Sequence, residues 1–414
     1  MRLHVICIGD EILLGHTTNM NLTYLGNKLH EHGYMIQREV CIPDTPEMIR
    51  RTLREELREA DIIITVGGLG PTKDDVTRPV IAEELGLNLN VNEKLLTRIR
   101  DYLSRRHVNI PEEAMRTQAM VPDKATILPN NNGTAPGLWC KSADKAVIML
   151  PGPPRELEPM FEQSVLPGLR QHSPPDVVTT TIHTCGMPES RLAEQVEGIL
   201  EDFPQVATAF CARPFLVDVR LTATPENGKN LEQAEHVIRR SIGATAFPKG
   251  ITTIAQALAE ELKHRSLTVC FAESCTGGEL GSSITEIPGA STYFAGGIVA
   301  YSNEIKQKLL GVSTETLKHY GAVSEQTARE MTRAAMKQFG TDTSAAVTGI
   351  AGPGGGTADK PVGLVYVATA IHDQLNVQRF QFPGNRDNIR RRTTTTALNQ
   401  LRLQIMNQQE PGRT

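Results

Sequence analysis

The stretch Phe271-Ala272-Glu273-Ser274-Cys275-Thr276-Gly277-Gly278 is the most informative part of this sequence. It ends an apolar run that starts at Leu267, and it precedes apolar residues at helical spacing, namely Leu280, Ile284 and Ile287. The pattern predicts a strand that passes directly into a helix. A serine at that junction would face the N-terminal N–H groups of the helix, which stabilise a developing oxyanion or a bound phosphate.

Two interpretations of Ser274 stay open at this stage. It can be a nucleophile, or it can simply cap the helix that follows, as serine commonly does. The segment Tyr301-Ser302-Asn303-Glu304-Ile305-Lys306 offers a lysine that could act as the base, although a lone lysine is usually solvated. The C-terminal part contains histidine only at His264, His319 and His372, none of them near these motifs. The nucleophile interpretation therefore predicts serine-based hydrolysis without a histidine.

Length and composition indicate an ordinary globular protein of several domains. With 414 residues the chain exceeds the size of a single core, so two or three domains are expected. A net charge of −4 disfavours nucleic-acid binding through a basic surface. Seven scattered cysteines without CxxC spacing indicate reduced thiols. With no signal-peptide pattern and no membrane-spanning apolar run, we expect a cytoplasmic protein that does not bind membranes.

The first block, up to about residue 170, has the pattern of an α/β domain. Apolar runs at Leu3–Ile8, Ile62–Val66 and Ala146–Leu150 predict buried strands, and the stretch around Leu22, Leu25 and Leu29 predicts a helix. Continuous apolar strands separated by helices predict a parallel sheet that is covered on both faces.

Two further blocks follow. Gln171–Pro175 predicts the first boundary, and residues 176–248 have the pattern of a small α+β module with strands at Val177–Thr184 and Phe215–Leu221. The remainder is again α/β, with a helix over 253–264, several apolar strands and a long helix from Asn388. The predicted domains are therefore 1–170, 171–250 and 251–414.

The first block concentrates unusual residues at predicted strand ends. Gly9-Asp10-Glu11 follows the first strand, and Gly67-Gly68-Leu69-Gly70-Pro71-Thr72-Lys73-Asp74-Asp75 follows the second. Ligands of open α/β sheets bind beyond these ends, where glycines admit a phosphate and carboxylates suit a divalent cation. A tight turn and a helix N-terminus are the alternatives. Two more loops, Asn132–Gly137 and Leu150–Glu156, favour the ligand site.

The third block has its own glycine-rich loop, Thr348-Gly349-Ile350-Ala351-Gly352-Pro353-Gly354-Gly355-Gly356. The loop follows a predicted buried strand, which favours a phosphate cradle over a flexible loop. It lacks the Gly-Lys-Ser/Thr of a P-loop, which disfavours nucleoside triphosphate hydrolysis. Arg386 and Arg390 could add charge-assisted contacts to the same phosphate, or they could start a surface helix.

Nearly the whole chain resembles the CinA family of competence/damage-inducible proteins. The N-terminal part is similar to the family's molybdopterin-binding fold domain through Gly9–Gly15, Gly67–Asp75, Gly133–Gly137 and Pro151–Pro154. The middle module is similar to its KH-like insert through Gly186-Met187-Pro188-Glu189-Ser190. The C-terminal part is similar to the CinA C-terminal domain through Ala272–Gly278, Tyr301–Glu304 and Thr348–Gly355.

The resemblance implies two activities. The C-terminal domain would hydrolyse nicotinamide mononucleotide (NMN) to nicotinic acid mononucleotide and ammonia, without a cofactor. Ser274 would be the nucleophile, with Tyr301 and Lys306 as the acid/base pair. Residues expected to bind this substrate are Cys275, Thr276, Gly277, Gly352, Gly354, Gly355 and Arg386.

The N-terminal domain would be an ADP-ribose pyrophosphatase that needs a divalent metal (Co²⁺ or Mg²⁺) and K⁺. The expected substrate-binding residues are Gly67, Gly68, Thr72, Gly133 and Thr134. The expected metal ligands are Asp10, Glu11, Asp74, Asp75 and Glu156. Relatives also suggest a homodimer.

Two segments depart from the family pattern. The chain has Asn19-Met20-Asn21 where the family usually shows Asp-Thr-Asn, and Met115–Ala119 where it shows Asn-x-Lys-Gln-Ala. The first departure removes a carboxylate from the N-terminal site. The alternative function is a binding protein in DNA uptake or molybdopterin handling. Residues 185–200 contain no GXXG loop, which disfavours nucleic acid as a partner.

Overall fold

The computed structural model describes residues 1–72, 74–142, 144–172, 175–213 and 215–408. Lys73 of the first glycine-rich motif, and Ser173 and Pro174 of the predicted boundary, lie outside these ranges. The chain forms two compact units, residues 1–179 with 223–226, and residues 180–222 with 227–414. The predicted boundaries near residues 170 and 250 stay predictions. None of the described helices combines the length and the apolar character needed to cross a bilayer.

The first unit alternates strands and helices. Its strands are β1 (Leu3–Ile8), β2 (Ile36–Ile42), β3 (Ile62–Val66), β4 (Leu89–Val91), β5 (Met120–Pro122), β6 (Thr126–Leu128), β7 (Gly137–Ser142) and β8 (Lys145–Leu150). Its helices are α1 (Asp10–Leu13), α2 (Met20–Glu31), α3 (Pro46–Glu59), α4 (Thr77–Glu84), α5 (Glu93–Arg105), α6 (Glu112–Gln118), α7 (Pro154–Met160) and α8 (Leu166–His172), with a π-helical turn at Phe161–Val165 between the last two.

Six of these strands form one sheet in the order β2-β1-β3-β8-β7-β6. The four strands from β2 to β8 are parallel, with Val5 opposite both Glu39 and Ile64. Helices pack an apolar cluster against each face, which confirms the predicted buried strands and the covered sheet. The sheet is not wholly parallel, because β7 pairs antiparallel with β8, and β6 pairs antiparallel with β7.

The second unit begins with a small module and continues into a larger α/β domain. The module contains β9 (Val178–Cys185), α9 (Glu189–Leu200), β10 (Ala207–Arg213), β11 (Leu216–Ala223) and α10 (Gly228–Ile242). Its three strands pair in the order β10-β11-β9. Strand β10 was not predicted, because most of its side chains are polar, small or partly exposed and so lack an apolar run.

The larger domain contains the serine motif Phe271–Gly278. Its strands are β12 (Val269–Glu273), β13 (Phe294–Val299), β14 (Thr343–Gly349), β15 (Leu364–Ile371) and β16 (Gln374–Gln381). Its helices are α11 (Ile254–His264), α12 (Glu279–Thr285), α13 (Asn303–Leu310), α14 (Thr314–His319), α15 (Glu325–Phe339) and α16 (Arg386–Met406).

These strands form a sheet in the order β13-β12-β14-β15-β16. The strands β13, β12 and β14 are parallel, whereas β15 and β16 return antiparallel. Their carboxyl ends lie together, so the segments after Glu273, Val299 and Gly349 meet at one edge of the sheet. The serine motif, the tyrosine–lysine motif and the glycine-rich loop are those three segments.

Candidate active sites

The carboxylate of Glu273, and not the hydroxyl of Ser274, satisfies the start of helix α12. It accepts hydrogen bonds from the Thr276 hydroxyl at 2.7 Å and from the N–H groups of Gly278, Leu280 and Gly281 at 2.9, 3.2 and 3.0 Å. Glu273 is only 2% exposed, so these bonds replace the water that a carboxylate would otherwise keep. Ser274 is therefore not needed as the cap.

The side chain of Lys306 reaches Ser274 from the first turns of α13. Its Nζ lies 3.0 Å from the Ser274 Oγ, 2.7 Å from the Ala300 carbonyl oxygen and 3.4 Å from that of Tyr301. Ser302 caps this helix by accepting the N–H of Ile305 at 3.2 Å, which fixes the helix start. The structure thus brings the two predicted catalytic side chains, 32 residues apart in sequence, into direct contact.

Burial makes this lysine unusual. Lys306 is 1% exposed, and removal of its ammonium from water lowers its pKa from the ordinary lysine value. A neutral amine has two N–H donors and one lone pair. The two backbone carbonyls can take the donors, which directs the lone pair towards the Ser274 hydroxyl. This arrangement suits a base that removes the hydroxyl proton.

Tyr301 has a different position from the one that a proton relay needs. Its ring is 60% exposed, and its hydroxyl accepts a hydrogen bond from Arg386 at 2.9 Å. Only its backbone carbonyl contacts Lys306. Among the described residues, no hydrogen bond joins the Tyr301 hydroxyl to Ser274 or Lys306. The structure therefore places this hydroxyl on the open side of the site.

Arg386 connects the tyrosine to the glycine-rich loop. It also donates to the Gly352 carbonyl at 2.7 Å. Gly352 has a φ of +77° and is buried, and a β-carbon there would lie 2.6 Å from Val362, so no larger residue fits. Gly354 and Gly355 are exposed on the same loop. Arg386 and this loop thus lie beside Tyr301, as a cradle for an anionic group would require.

Fewer backbone N–H groups are available for the predicted oxyanion site than the sequence indicated. The N–H of Gly277 donates to the Ser274 carbonyl at 3.2 Å, which leaves those of Cys275 and Thr276 as candidate donors. Arg390 donates to the Thr276 carbonyl at 2.7 Å and fixes that peptide. The thiol of Cys275 is buried, and burial raises its pKa to about 12, so it stays protonated at neutral pH.

The first unit contains a separate cleft of about 720 Å³ at the carboxyl ends of β1, β3 and β8. Of the predicted residues, those lining it are Glu11, Gly67, Gly68, Thr72, Asp74, Asp75, Thr134 and Glu156. Asp10 is exposed and is not among the lining residues, and Gly133 lines a separate small pocket next to Thr134. Residues of the wall that sequence reasoning missed include Asp44, Gln118, Thr17 and Thr18.

Glycines let three carboxylates approach the backbone around this cleft. A β-carbon added to Gly9 would lie 2.6 Å from the carboxylate of Glu11. One added to Gly70 would lie 2.5 Å from the carboxylate of Asp75, and one added to Gly133 would lie 2.1 Å from that of Glu156. Asp75 accepts from the Thr72 N–H at 2.8 Å and from the Thr72 hydroxyl at 2.6 Å, so it braces the loop. Glu156 accepts from the Asn130 amide at 2.7 Å.

The acidic residues concentrate negative charge at the cleft. Burial, followed by the neighbouring charge of Asp10 and then those of Asp74 and Glu11, raises the pKa of Asp44. Asp44 follows β2, a strand that the sequence did not reveal. In the described part of the chain, no three His, Cys, Asp or Glu side chains converge as a preformed metal site. Hard oxygens around an open cleft fit a divalent cation that binds one or two carboxylates together with substrate phosphates.

Asn19, the departure from the family pattern, has a structural role here. Its side-chain oxygen accepts the Leu22 N–H at 3.1 Å and caps α2, while its amide donates to the Cys7 sulfur at 3.1 Å. Asparagine serves as a helix cap as well as aspartate does. An aspartate could accept the same N–H, but it could not donate to the buried thiol.

Comparison with known proteins matches three family models along the chain. These are the CinA C-terminal domain at residues 251–405, the probable molybdopterin binding domain at 4–171, and the damage-inducible protein CinA KH domain at 179–247. Along the chain, the molybdopterin-binding-like match therefore comes first, the KH-like match second and the CinA C-terminal match last.

Two relatives match this chain along nearly its whole length. A competence-damage inducible protein of Caldicellulosiruptor bescii is 40% identical over 97% of this chain and 98% of its own length. A CinA-like protein of Syntrophomonas wolfei is 38% identical over 97% of this chain and 98% of its own. The crystal structure of a competence/damage inducible protein from Agrobacterium tumefaciens is 41% identical, covers 39% of this chain and 98% of that chain, and has a TM-score of 0.37.

Proposed function

This chain belongs to the CinA family, and from that premise we propose that it is a hydrolase of pyridine nucleotides with two separate sites. The C-terminal domain deamidates NMN with Ser274 as nucleophile. The N-terminal domain cleaves ADP-ribose to AMP and ribose 5-phosphate with a divalent cation and K⁺. The substrates are small nucleotides in both sites.

The observation that carries the first activity is the 3.0 Å contact between Lys306 Nζ and Ser274 Oγ. A serine hydroxyl is a weak nucleophile until an adjacent base takes its proton. Lysine can be that base only when its amine is neutral, and burial lowers the pKa of Lys306 in that direction. Three features therefore support Lys306 as the base: its contact with Ser274, its burial, and the two carbonyl acceptors that orient its amine.

The reaction follows from this geometry. Ser274 Oγ attacks the amide carbon of NMN while Lys306 takes the hydroxyl proton. The N–H groups of Cys275 and Thr276 face the oxyanion that forms. Lys306 then returns the proton to the amide nitrogen. Ammonia departs, and the acyl group remains bound to Ser274 as an ester. Water attacks this ester, Lys306 accepts a proton from the water, and the Ser274 oxygen leaves with a proton from Lys306, which releases the acid.

The phosphate of NMN fits the other side of the site. Arg386 offers a guanidinium beside the exposed glycines 354 and 355, and charge-assisted bonds from arginine suit a phosphate. In this proposal Tyr301 lines the substrate channel and positions Arg386 through the 2.9 Å bond to its hydroxyl. A role for Tyr301 as proton donor requires its ring to turn towards the substrate.

The N-terminal proposal rests on the cleft and its charges. Gly67, Gly68 and Thr72 would hold the diphosphate, and Asp74, Asp75, Glu11 and Glu156 would share the cation with it. When bound there, a divalent cation would supply neutralisation of the phosphate oxygens and activation of a water. Asp44 lines the same cleft and adds its carboxyl group to the acidic wall.

One experiment on the purified chain tests both activities and the rival function. Ammonia release from NMN and AMP release from ADP-ribose are measured side by side, with and without a chelator. A gel-shift assay with single-stranded nucleic acid runs in parallel. Hydrolysis of both nucleotides supports the proposal. A shift of nucleic acid with neither hydrolysis contradicts it and favours a binding protein.

A further inference from the structure

A buried side-chain oxygen in the N-terminal cleft has no hydrogen-bond partner among the residues that the structure describes. Gln118 ends helix α6 and lines the cleft, yet it is only 1% exposed. Its side-chain oxygen accepts no hydrogen bond from the described residues. Buried polar groups are almost always paired in folded proteins, because an unpaired group loses its water without compensation. Such a group in a ligand cleft is explained when the ligand supplies the partner.

A second amide in the same wall shows the same feature. Asn21 lines the cleft and donates its amide to the Gly152 carbonyl at 2.6 Å. This bond fixes which end of the amide is the oxygen, and that oxygen is buried without a partner among the described residues. The side-chain oxygen of Asn21 is therefore a hydrogen-bond acceptor that the cleft offers to a ligand.

Both amides are tied to the glycine-rich loop. Arg78 is buried and donates to the carbonyls of Leu69 at 3.0 Å and Thr117 at 2.6 Å, so it links the loop to the residue before Gln118. On the other side, a β-carbon at Gly152 would lie 3.8 Å from Gly67. The two amides thus flank the segment where phosphates are expected to bind.

The chemistry of these groups excludes the phosphate itself as the partner of Asn21. An ionised phosphate presents only acceptor oxygens, and two acceptors repel each other. A hydroxyl or an amino group carries the donor that the Asn21 oxygen lacks, and either can also pair with the amide of Gln118. We propose that Gln118 and Asn21 form a neutral subsite that binds donor groups of the ligand's nucleoside part, and that Gln118 thereby selects ribose-bearing phosphates over simple phosphates.

This inference rests on the proposed ADP-ribose site and names the part of the ligand that the amides recognise. The test uses the full chain and three ligands that it does not hydrolyse, titrated by calorimetry with Mg²⁺ present. AMP carries ribose hydroxyls and an amino group, ribose 5-phosphate carries hydroxyls alone, and inorganic phosphate carries neither. The variants are Gln118→Met, which keeps the length and removes the amide, and Gln118→Glu, which keeps the shape and an acceptor.

We expect Gln118→Met to weaken AMP binding by about tenfold or more, the usual effect of losing one buried hydrogen bond, with inorganic phosphate changed less than about twofold. Equal weakening of ribose 5-phosphate identifies a hydroxyl as the donor, and an effect on AMP alone identifies the amino group. Gln118→Glu should retain more affinity than Gln118→Met. Thermal unfolding of each variant shows that the fold is kept.

Three outcomes overturn the inference: unchanged binding of both nucleoside ligands, an equal loss for inorganic phosphate, or no binding of AMP and ribose 5-phosphate by the unaltered chain. The proposed activity fails separately. If the chain binds AMP through Gln118 but does not cleave ADP-ribose, the subsite stands and the hydrolase proposal is wrong. If Gln118→Met cleaves ADP-ribose with unchanged kcat/KM, the hydrolase stands and the subsite is wrong.

Discussion

Lys306 donates to the carbonyl oxygen of Ala300 at 2.7 Å, a shorter distance than the 3.0 Å that separates its Nζ from the Ser274 Oγ. The same Ala300 donates its N–H to the carbonyl oxygen of Glu273 at 2.7 Å. The single residue Ala300 therefore joins Lys306 to the strand end that precedes Ser274. Because Ala300 directly follows β13, which pairs with β12, the contact between Lys306 and Ser274 is anchored at the end of the sheet.

Replacement of Ser274 by alanine should abolish NMN deamidation and leave ADP-ribose cleavage intact. The hydroxyl caps no helix, since Glu273 takes that role, so the variant should fold normally. Ammonia release is the measurement. Cys275→Ser is the matched control, and we expect it to keep activity because the buried thiol is protonated. Retention of more than about a tenth of the rate by Ser274→Ala would contradict the nucleophile assignment.

Lys306→Met should lower the rate of deamidation by several orders of magnitude with little effect on KM. In the unaltered chain, kcat/KM should rise with pH through the lowered pKa of Lys306, below the ordinary lysine value of about 10.4. A profile without any ionisation between neutrality and that value would exclude a lysine base. Lys308→Met, on the same helix, is the control.

The same variant tests burial through stability. Between the lowered pKa and the ordinary value, the unfolded chain holds more protons than the folded one, so the stability of the unaltered protein rises with pH in that window. At pH values below both pKa values, the free-energy cost of burying the ammonium does not change with pH. Lys306→Met should lack this rise and should be no less stable at neutral pH. Urea unfolding at several pH values measures both effects.

Glu273→Gln should slow deamidation and destabilise the C-terminal domain by about 1–3 kcal/mol, the usual cost of leaving buried donors unpaired. A glutamine places an NH₂ group against N–H donors that the carboxylate now accepts. Glu286→Gln, at the exposed end of the same helix, is the control and should change neither quantity. If Glu273→Gln keeps full activity, the carboxylate does not position Ser274.

Cleavage of ADP-ribose should require added divalent metal and should be lost in Asp75→Ala, while NMN deamidation is affected by neither. Asp75 contributes a charge to the cleft and braces Thr72, so its loss removes a candidate ligand and loosens the loop. Asp101→Ala, exposed on helix α5, is the control. Loss of deamidation on chelation would refute the metal-free serine mechanism.

Much of the fold follows from local patterns. The apolar runs of β1, β3 and β8 needed only the alternation of buried strands and helices to be identified. Strand β2 was missed because three of its seven side chains are exposed, and with it Asp44, which lies just beyond the strand. The predicted homodimer, the K⁺ requirement and the cytoplasmic location stay predictions.

The sequence alone determined the α/β architecture, the family and the residue types at each strand end, because burial periodicity and glycine-rich turns are local properties of the chain. Only the tertiary structure decided which candidates meet. Sheet order brings Lys306 to Ser274 and turns the hydroxyl of Tyr301 towards Arg386. It also buries the side-chain oxygen of Gln118 without a hydrogen-bond partner in the described part of the chain. Contacts between distant segments depend on strand order and helix packing, and these follow from the energy of the whole fold rather than from any one segment.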